Sequence, residues 1–65
     1  MKIIVNSQPV EITADNLKTV LTELGYEDGR IATAINGDFV PEGLRSKTPL
    51  NVGDRIEILA PMQGG

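Results

Sequence analysis

Gly64 and Gly65, the last two of the 65 residues, are the positions with the clearest chemical potential in this sequence. A glycine carbonyl has no bulky neighbour, so a narrow channel admits the chain and a nucleophile reaches the carbonyl carbon unhindered. The chemistry expected there is activation of the Gly65 carboxylate inside another protein's active site. Catalysis by the chain itself is not expected. It has no histidine and no cysteine, which removes the usual general base near neutral pH, the usual partner of a nucleophilic serine, and thiolate metal ligation. Asp28, Asp38 and Asp54 are isolated and none sits in a calcium-loop pattern, so no metal site is expected.

The segment that carries these glycines is read as a flexible tail over residues 60–65. Pro61 cannot donate to a strand ladder and biases Ala60 toward extended geometry, so regular pairing should fade there. Five extended residues span about 16 Å, enough for Pro61, Met62, Gln63 and Gly64 to thread into a partner's site ahead of Gly65. Met62 could serve as an apolar anchor in a partner groove. Small residues also suit a frayed terminus, but a glycine pair directly after a final strand favours a working end.

The elements that must position the tail form a single domain, residues 1–65. Residues 2–6 alternate with Ile3 and Val5 on one face and Lys2, Ile4 and Asn6 on the other, which predicts a strand. Turn formers Asn6, Ser7 and Gln8 lead to a second strand over residues 9–13, with Val10 and Ile12 on one face. Over residues 15–24 the period changes. Leu17, Val20, Leu21 and Leu24 fall on one helical stripe, with Thr13 or Asp15 as the cap and Gly25 as the stop. That stripe is read as core packing beneath a sheet. A polar loop through Glu27, Asp28, Gly29 and Arg30 precedes a strand at residues 31–35, and Asn36-Gly37 turns it back through Phe39 and Val40. Residues 41–48 read as irregular, with Leu44 their apolar anchor. Pro49, Asn51, Gly53 and Asp54 mark a turn before the last strand at residues 55–59, in which Ile56 and Ile58 share one face and Arg55, Glu57 and Leu59 the other.

Charge narrows the partners. Nine acidic and six basic residues leave a net charge of −3, so counterion release would oppose binding to nucleic acid. No apolar run approaches the ~20 residues of a membrane helix, and the N-terminus has no signal-peptide pattern, so a cytoplasmic protein is expected.

The order KIIVNSQPVEI, LxxVLxxLG at residues 17–25, AINGDFVP and LNVGDRIEILAPMQGG resembles the ThiS-type sulfur carriers of thiamine biosynthesis along essentially the whole chain. The carriers of molybdopterin synthesis are close relatives of that family. The resemblance implies an α+β, ubiquitin-like β-grasp fold, a mixed sheet of four to five strands on one main helix. It also implies a cycle in which an E1-like adenylyltransferase uses ATP to adenylate Gly65. Sulfur from a donor such as a cysteine desulfurase then makes a thiocarboxylate, which is delivered to thiazole synthase. The chain would bind no cofactor of its own. Many relatives carry an Arg-x-x-Trp-like segment after the Val-Pro, where this chain has Val40-Pro41-Glu42-Gly43-Leu44-Arg45.

Ile4 and Leu59, on the sheet face away from the helix, are the candidate docking surface for the adenylyltransferase or the synthase; filling sheet edges is the alternative. Glu57 and Asp54 could steer a basic partner or simply belong to a solvated surface. Sulfur delivery to molybdopterin synthesis or transfer-RNA thiolation, a ubiquitin-like modifier joined through Gly65, and a binding module with an inert tail remain as other readings.

Overall fold

The computed structural model describes residues 1–26 and 30–60. Strand β1 (Lys2–Val5) turns into β2 (Gln8–Glu11) through Asn6 and Ser7, whose φ angles of 49° and 71° lie in the left-handed region. A turn of that hand matches the twist of the strands it joins. The antiparallel register sets Ile3 opposite Val10 and Ile4 opposite Pro9. Ile3 and Ile12 therefore lie in the core, while Ile4 faces the other way and is half-buried.

Helix α1 (Leu17–Glu23) is shorter than its apolar stripe suggests, and its cap is neither Thr13 nor Asp15. Asn16 is extended at φ −141°, ψ 166°, and its Oδ1 accepts the Thr19 N–H at 2.9 Å. The Asp15 carbonyl accepts the Leu50 N–H at 2.9 Å, and its Oδ1 accepts from Asn16 Nδ2 at 3.4 Å rather than from a helix N–H. Thr13 contributes its backbone instead. The Glu23 carboxylate reaches back from the last turn and accepts the N–H of Thr13 at 2.9 Å and of Ala14 at 2.8 Å. Those bonds, Thr13's first, hold the Glu23 pKa below its ordinary value. Gly25, at φ 91°, closes the helix with the paired bonds of a Schellman motif, Tyr26 N–H to the Leu21 carbonyl and Gly25 N–H to the Thr22 carbonyl.

Strands β3 (Ala32–Ile35) and β4 (Asp38–Val40) form the second hairpin through Asn36 and Gly37, again with both φ angles positive, 49° and 89°. Strand β5 (Arg55–Leu59) then inserts at the centre of a five-stranded sheet ordered β2-β1-β5-β3-β4. It runs parallel to β1 and antiparallel to β3, so the sheet is mixed and grasps one helix, as a β-grasp fold requires. Leu17, Val20 and Leu21 of α1 pack on Ile3, Val5, Ile56 and Ile58. Complete burial of an aliphatic side chain contributes roughly 1.5–3 kcal/mol.

The segment after β4 corrects one expectation. Glu42–Lys47 is a 3-10 helix, and Leu44 does not anchor it, being 51% exposed. Arg45 is the buried residue, at 5% exposure. Its Nε donates to Thr33 Oγ1 at 3.1 Å and its Nη2 to the Ile31 carbonyl at 2.7 Å, while Thr33 Oγ1 donates to the Val40 carbonyl at 2.8 Å. A 3-10 helix repeats every three residues, so only one side chain of the Gly43-Leu44-Arg45 run can point at β3. The long stem of arginine fills that space while its planar head meets two acceptors at once.

Candidate functional site

Pro61, Met62, Gln63, Gly64 and Gly65 lie outside the described residues, as do Glu27, Asp28 and Gly29 of the expected polar loop. The described residues that adjoin them in sequence are the end of β5 and Ala60, with the open face of the sheet around them.

Asn6 fixes that end of β5. Parallel pairing of β1 with β5 sets Val5 opposite Ile56, and the Asn6 N–H donates to the Ile56 carbonyl at 2.9 Å. There the chain turns away into β2, but the Asn6 side chain continues the ladder. Its Oδ1 accepts the Ile58 N–H at 2.8 Å and its Nδ2 donates to the Ile58 carbonyl at 3.2 Å. A carboxamide has the donor and acceptor of a peptide group, so it stands in for one more residue of strand. On the other flank, Ala32 and Thr33 of β3 pair with Leu59 and Ile58. Ile58 is thus held from both sides, and Leu59 from the β3 side. From the sequence Asn6 reads as the end of the first strand and a turn former. Its partner lies 52 positions away, and no local signal points to it.

Ile4 and Leu59 both lie on the face away from α1, as expected, but the structure does not bring them together. The register puts Ile4 beside Arg55, four residues before Leu59, a separation of roughly 13 Å along a strand. Ile4 is half-buried and lines a shallow depression with Asn36, Gly37 and Arg55. Leu59 is 71% exposed and lines a groove with Phe39, Ala32, Ala34, Glu57 and Asn6. Ala32 and Ala34 make its low floor, and Phe39, 68% exposed on β4 opposite Ala34, makes one wall. Phe39 was read only as a strand residue after the Asn-Gly turn; its alternation with Val40 does place it outward.

The two acids considered for steering have different fates. Asp54 is occupied by its own turn, where Oδ2 accepts the Asn51 N–H at 2.8 Å and Oδ1 accepts from Asn36 Nδ2 at 3.1 Å. Glu57 is exposed and its side chain makes no hydrogen bond or ion pair among the described residues, in which the Met1 amino group and Glu11 form the one salt bridge. Among the described residues no cluster of acidic side chains could hold a metal ion, and no helix is long and apolar enough to cross a membrane.

Relatives share both the sequence and this architecture. The chain is 37% identical over 65 residues to the sulfur carrier protein ThiS of Thermus thermophilus, covering 92% of this chain and 94% of that one. It is 30% identical over 66 residues to a thiazole synthase of Paramagnetospirillum magneticum, a match that takes in 100% of this chain and 20% of that protein, so the chain spans about a fifth of that relative's length. The crystal structure of the thiamine biosynthesis protein ThiS from Geobacter metallireducens superposes with a TM-score of 0.82 at 26% identity, covering 100% of both chains. A solution structure of a thiamine biosynthesis protein from the same organism gives 0.81 at 25% identity, covering 100% of this chain and 88% of that one. The family model described as "ThiS family" matches residues 3–65, and on that match the chain belongs to the ThiS family.

Proposed function

We propose that this chain is a sulfur carrier of thiamine biosynthesis and acts as a substrate of partner enzymes rather than as an enzyme. The observation that carries the reading is the family match, which runs through Gly65. In the cycle, an E1-like adenylyltransferase joins the Gly65 carboxylate to the α-phosphate of ATP with release of pyrophosphate. A persulfide on a donor such as a cysteine desulfurase system then attacks the acyl carbon and displaces AMP to give an acyl disulfide, and a second thiol of the donor system, the two-electron reductant, cleaves its S–S bond, leaving the thiocarboxylate and a disulfide on the donor side. Adenylation is needed because a carboxylate is a poor acyl donor. The folded body contributes binding energy that holds the tail in place during the reaction. The platform formed by Asn6, Ile58 and Leu59 suits that task.

Thiazole synthase is the client we infer. A protein of that name in Paramagnetospirillum magneticum contains a segment similar to the whole of this chain, and physical linkage of a carrier to its acceptor raises their effective concentration. Intact-mass measurement of the chain from its own cells, grown without thiamine and fragmented to localise changes, tests the chemistry. Replacement of one oxygen by sulfur at Gly65 is expected. An unmodified mass that persists after incubation with an adenylyltransferase, ATP and a sulfur source overturns the reading. Growth of a deletion strain should be restored by thiamine or its thiazole precursor; failure of both removes thiamine synthesis as the client route.

A further inference from the structure

Asn36 is one of four asparagines in the chain, and the one followed by glycine. That pair is the most open to deamidation, because no side chain on the second residue crowds its backbone nitrogen as it attacks the carboxamide. The fold holds this pair in a guarded state. Asn36 and Gly37 are exposed at the turn between β3 and β4, so water reaches them. Past the last pair of the ladder between β3 and β5, Ile35 with Ile56, the Asn36 N–H donates to the Arg55 carbonyl at 2.7 Å. The side chain adds two bonds: Oδ1 accepts the Arg55 N–H at 3.0 Å, and Nδ2 donates to Asp54 Oδ1 at 3.1 Å. The carboxamide thus ties the second hairpin to the turn that starts β5. Backbone geometry guards it as well. The φ angles of 49° and 89° are those of a type I′ turn, in which ψ of the first residue is about +30°. That sets the Gly37 nitrogen nearly anti to the Asn36 Cβ, whereas ring closure needs the two nearly eclipsed.

We propose that Asn36 is a deamidation site controlled by the fold: the closed turn blocks the reaction, local opening of the clasp between Asn36, Arg55 and Asp54 admits it, and the product keeps the clasp from re-forming. In the first step the Gly37 nitrogen bonds to Asn36 Cγ as the Cγ–Nδ2 bond breaks. The proton of that nitrogen passes through solvent to the leaving group, which departs as ammonia, and a five-membered imide remains. Water then opens one of the two C–N bonds of the imide, giving aspartate where the bond at Cγ breaks and isoaspartate where the bond at the main-chain carbonyl breaks. Water is the one reagent consumed, and no electrons are transferred. The reaction needs no partner and stands apart from the carrier cycle. Its consequence follows from the change of donors. A carboxamide carries a donor and an acceptor, a carboxylate only acceptors. The new carboxylate keeps the Arg55 N–H but meets the Asp54 carboxylate across the 3.1 Å contact where an N–H had been, and two carboxylates sharing a site repel. Isoaspartate also adds a carbon to the main chain of a two-residue loop whose ends, Ile35 and Asp38, are paired.

The test incubates the full-length chain in near-neutral buffer, with and without enough guanidinium chloride to unfold it, and follows the mass gain of NH2 replaced by OH, localised by fragmentation. In denaturant Asn36 should be modified before Asn6, Asn16 or Asn51. In buffer the same site should react at least about 5-fold more slowly, the factor that two net hydrogen bonds set on the open population. Equal rates at Asn36 in the two conditions, or first modification at another asparagine in denaturant, overturn the proposal. Asp54→Ala removes one bond of the clasp and should speed the native reaction by about 2- to 12-fold, with the rate in denaturant unchanged. Hydrogen exchange of the Arg55 amide should quicken in step; a native rate that stays at the wild-type value while exchange quickens refutes control by opening. Asn36→Asp reproduces one product and should lower the thermal midpoint, and a midpoint at or above wild type refutes the consequence. The double variant Asn36→Asp, Asp54→Asn isolates its cause. It swaps donor and acceptor across the same contact, and the carboxamide oxygen at position 54 can still accept the Asn51 N–H, so the midpoint should return toward wild type. A double variant as low as the single one overturns repulsion as the reason. If Asn36→Asp does not fold at all, the double variant and the Asp54→Ala rates still decide.

Discussion

Replacing Arg45 by alanine removes the two hydrogen bonds that hold the 3-10 helix against β3. The Ile31 carbonyl loses its 2.7 Å donor, and Thr33 Oγ1 loses the 3.1 Å donor that backs its own bond to the Val40 carbonyl. Hydrogen bonds involving a charged group contribute about 1.5–3 kcal/mol each, and an acceptor left buried costs a further share. The stem of the side chain also packs, so its loss adds to the effect. Taking the low end for each bond gives about 3 kcal/mol. A chain of this length has a total stability of roughly 3–10 kcal/mol, so the variant should be unfolded in a substantial fraction of molecules or melt roughly 12–24 °C lower. Urea unfolding followed by circular dichroism measures this directly. Arg45→Met keeps most of the stem and should lose about 2 kcal/mol, and Arg45→Lys should fall between, because an ammonium cannot reproduce the fork that meets both acceptors. Alanine within about 0.5 kcal/mol of wild type would mean the burial is incidental. A methionine variant more stable than wild type would refute the reasoning differently, by showing that desolvating the guanidinium costs more than its bonds contribute.

Glu23 has a lowered pKa in the folded chain because it accepts backbone N–H bonds from Thr13 and Ala14. Its contribution is therefore present above the ordinary glutamate pKa and is lost as pH falls through the lowered one; urea midpoints across an acid pH series should flatten in Glu23→Gln, and parallel curves would exclude this group. Asn6→Ala removes the side-chain ladder to Ile58 and places alanine at a positive φ, for an expected loss of about 2 kcal/mol. Asn6→Gly tolerates that φ and isolates the hydrogen bonds, and faster amide exchange at Ile58 in both variants is the diagnostic signal. Leu59→Asp should fold within about 0.5 kcal/mol of wild type, as an exposed position allows, yet slow adenylation; unchanged exchange kinetics in the folded variant would remove Leu59 from the interface.

Much of the fold is legible in the residues because its signals are local. The Leu17, Val20, Leu21 stripe specifies a helix by its period, Asn36-Gly37 a hairpin by its tolerance of positive φ, Gly25 a helix stop for the same reason, and the alternation of Ile56 and Ile58 with Glu57 and Leu59 tells which residues of β5 face the helix. The glycine pair at 64 and 65, with the order of motifs before it, pointed to the family in the same way, since a motif is a property of the chain and needs no coordinates. What depends on residues distant in sequence was decided only by tertiary structure. Hydropathy favours Leu44 over Arg45 as the buried anchor, but two oxygen acceptors 12 and 14 positions away reverse the choice, because a guanidinium can be buried where its donors are satisfied. Ile4 and Leu59 share a face by alternation, yet the parallel register of β1 against β5 separates them, and register is a relation between strands that neither strand encodes alone. Asp54 and Glu57 are alike as acids in a sequence; the turn that gathers Asn36 and Asn51 around Asp54 consumes one charge, and the sheet leaves the other exposed.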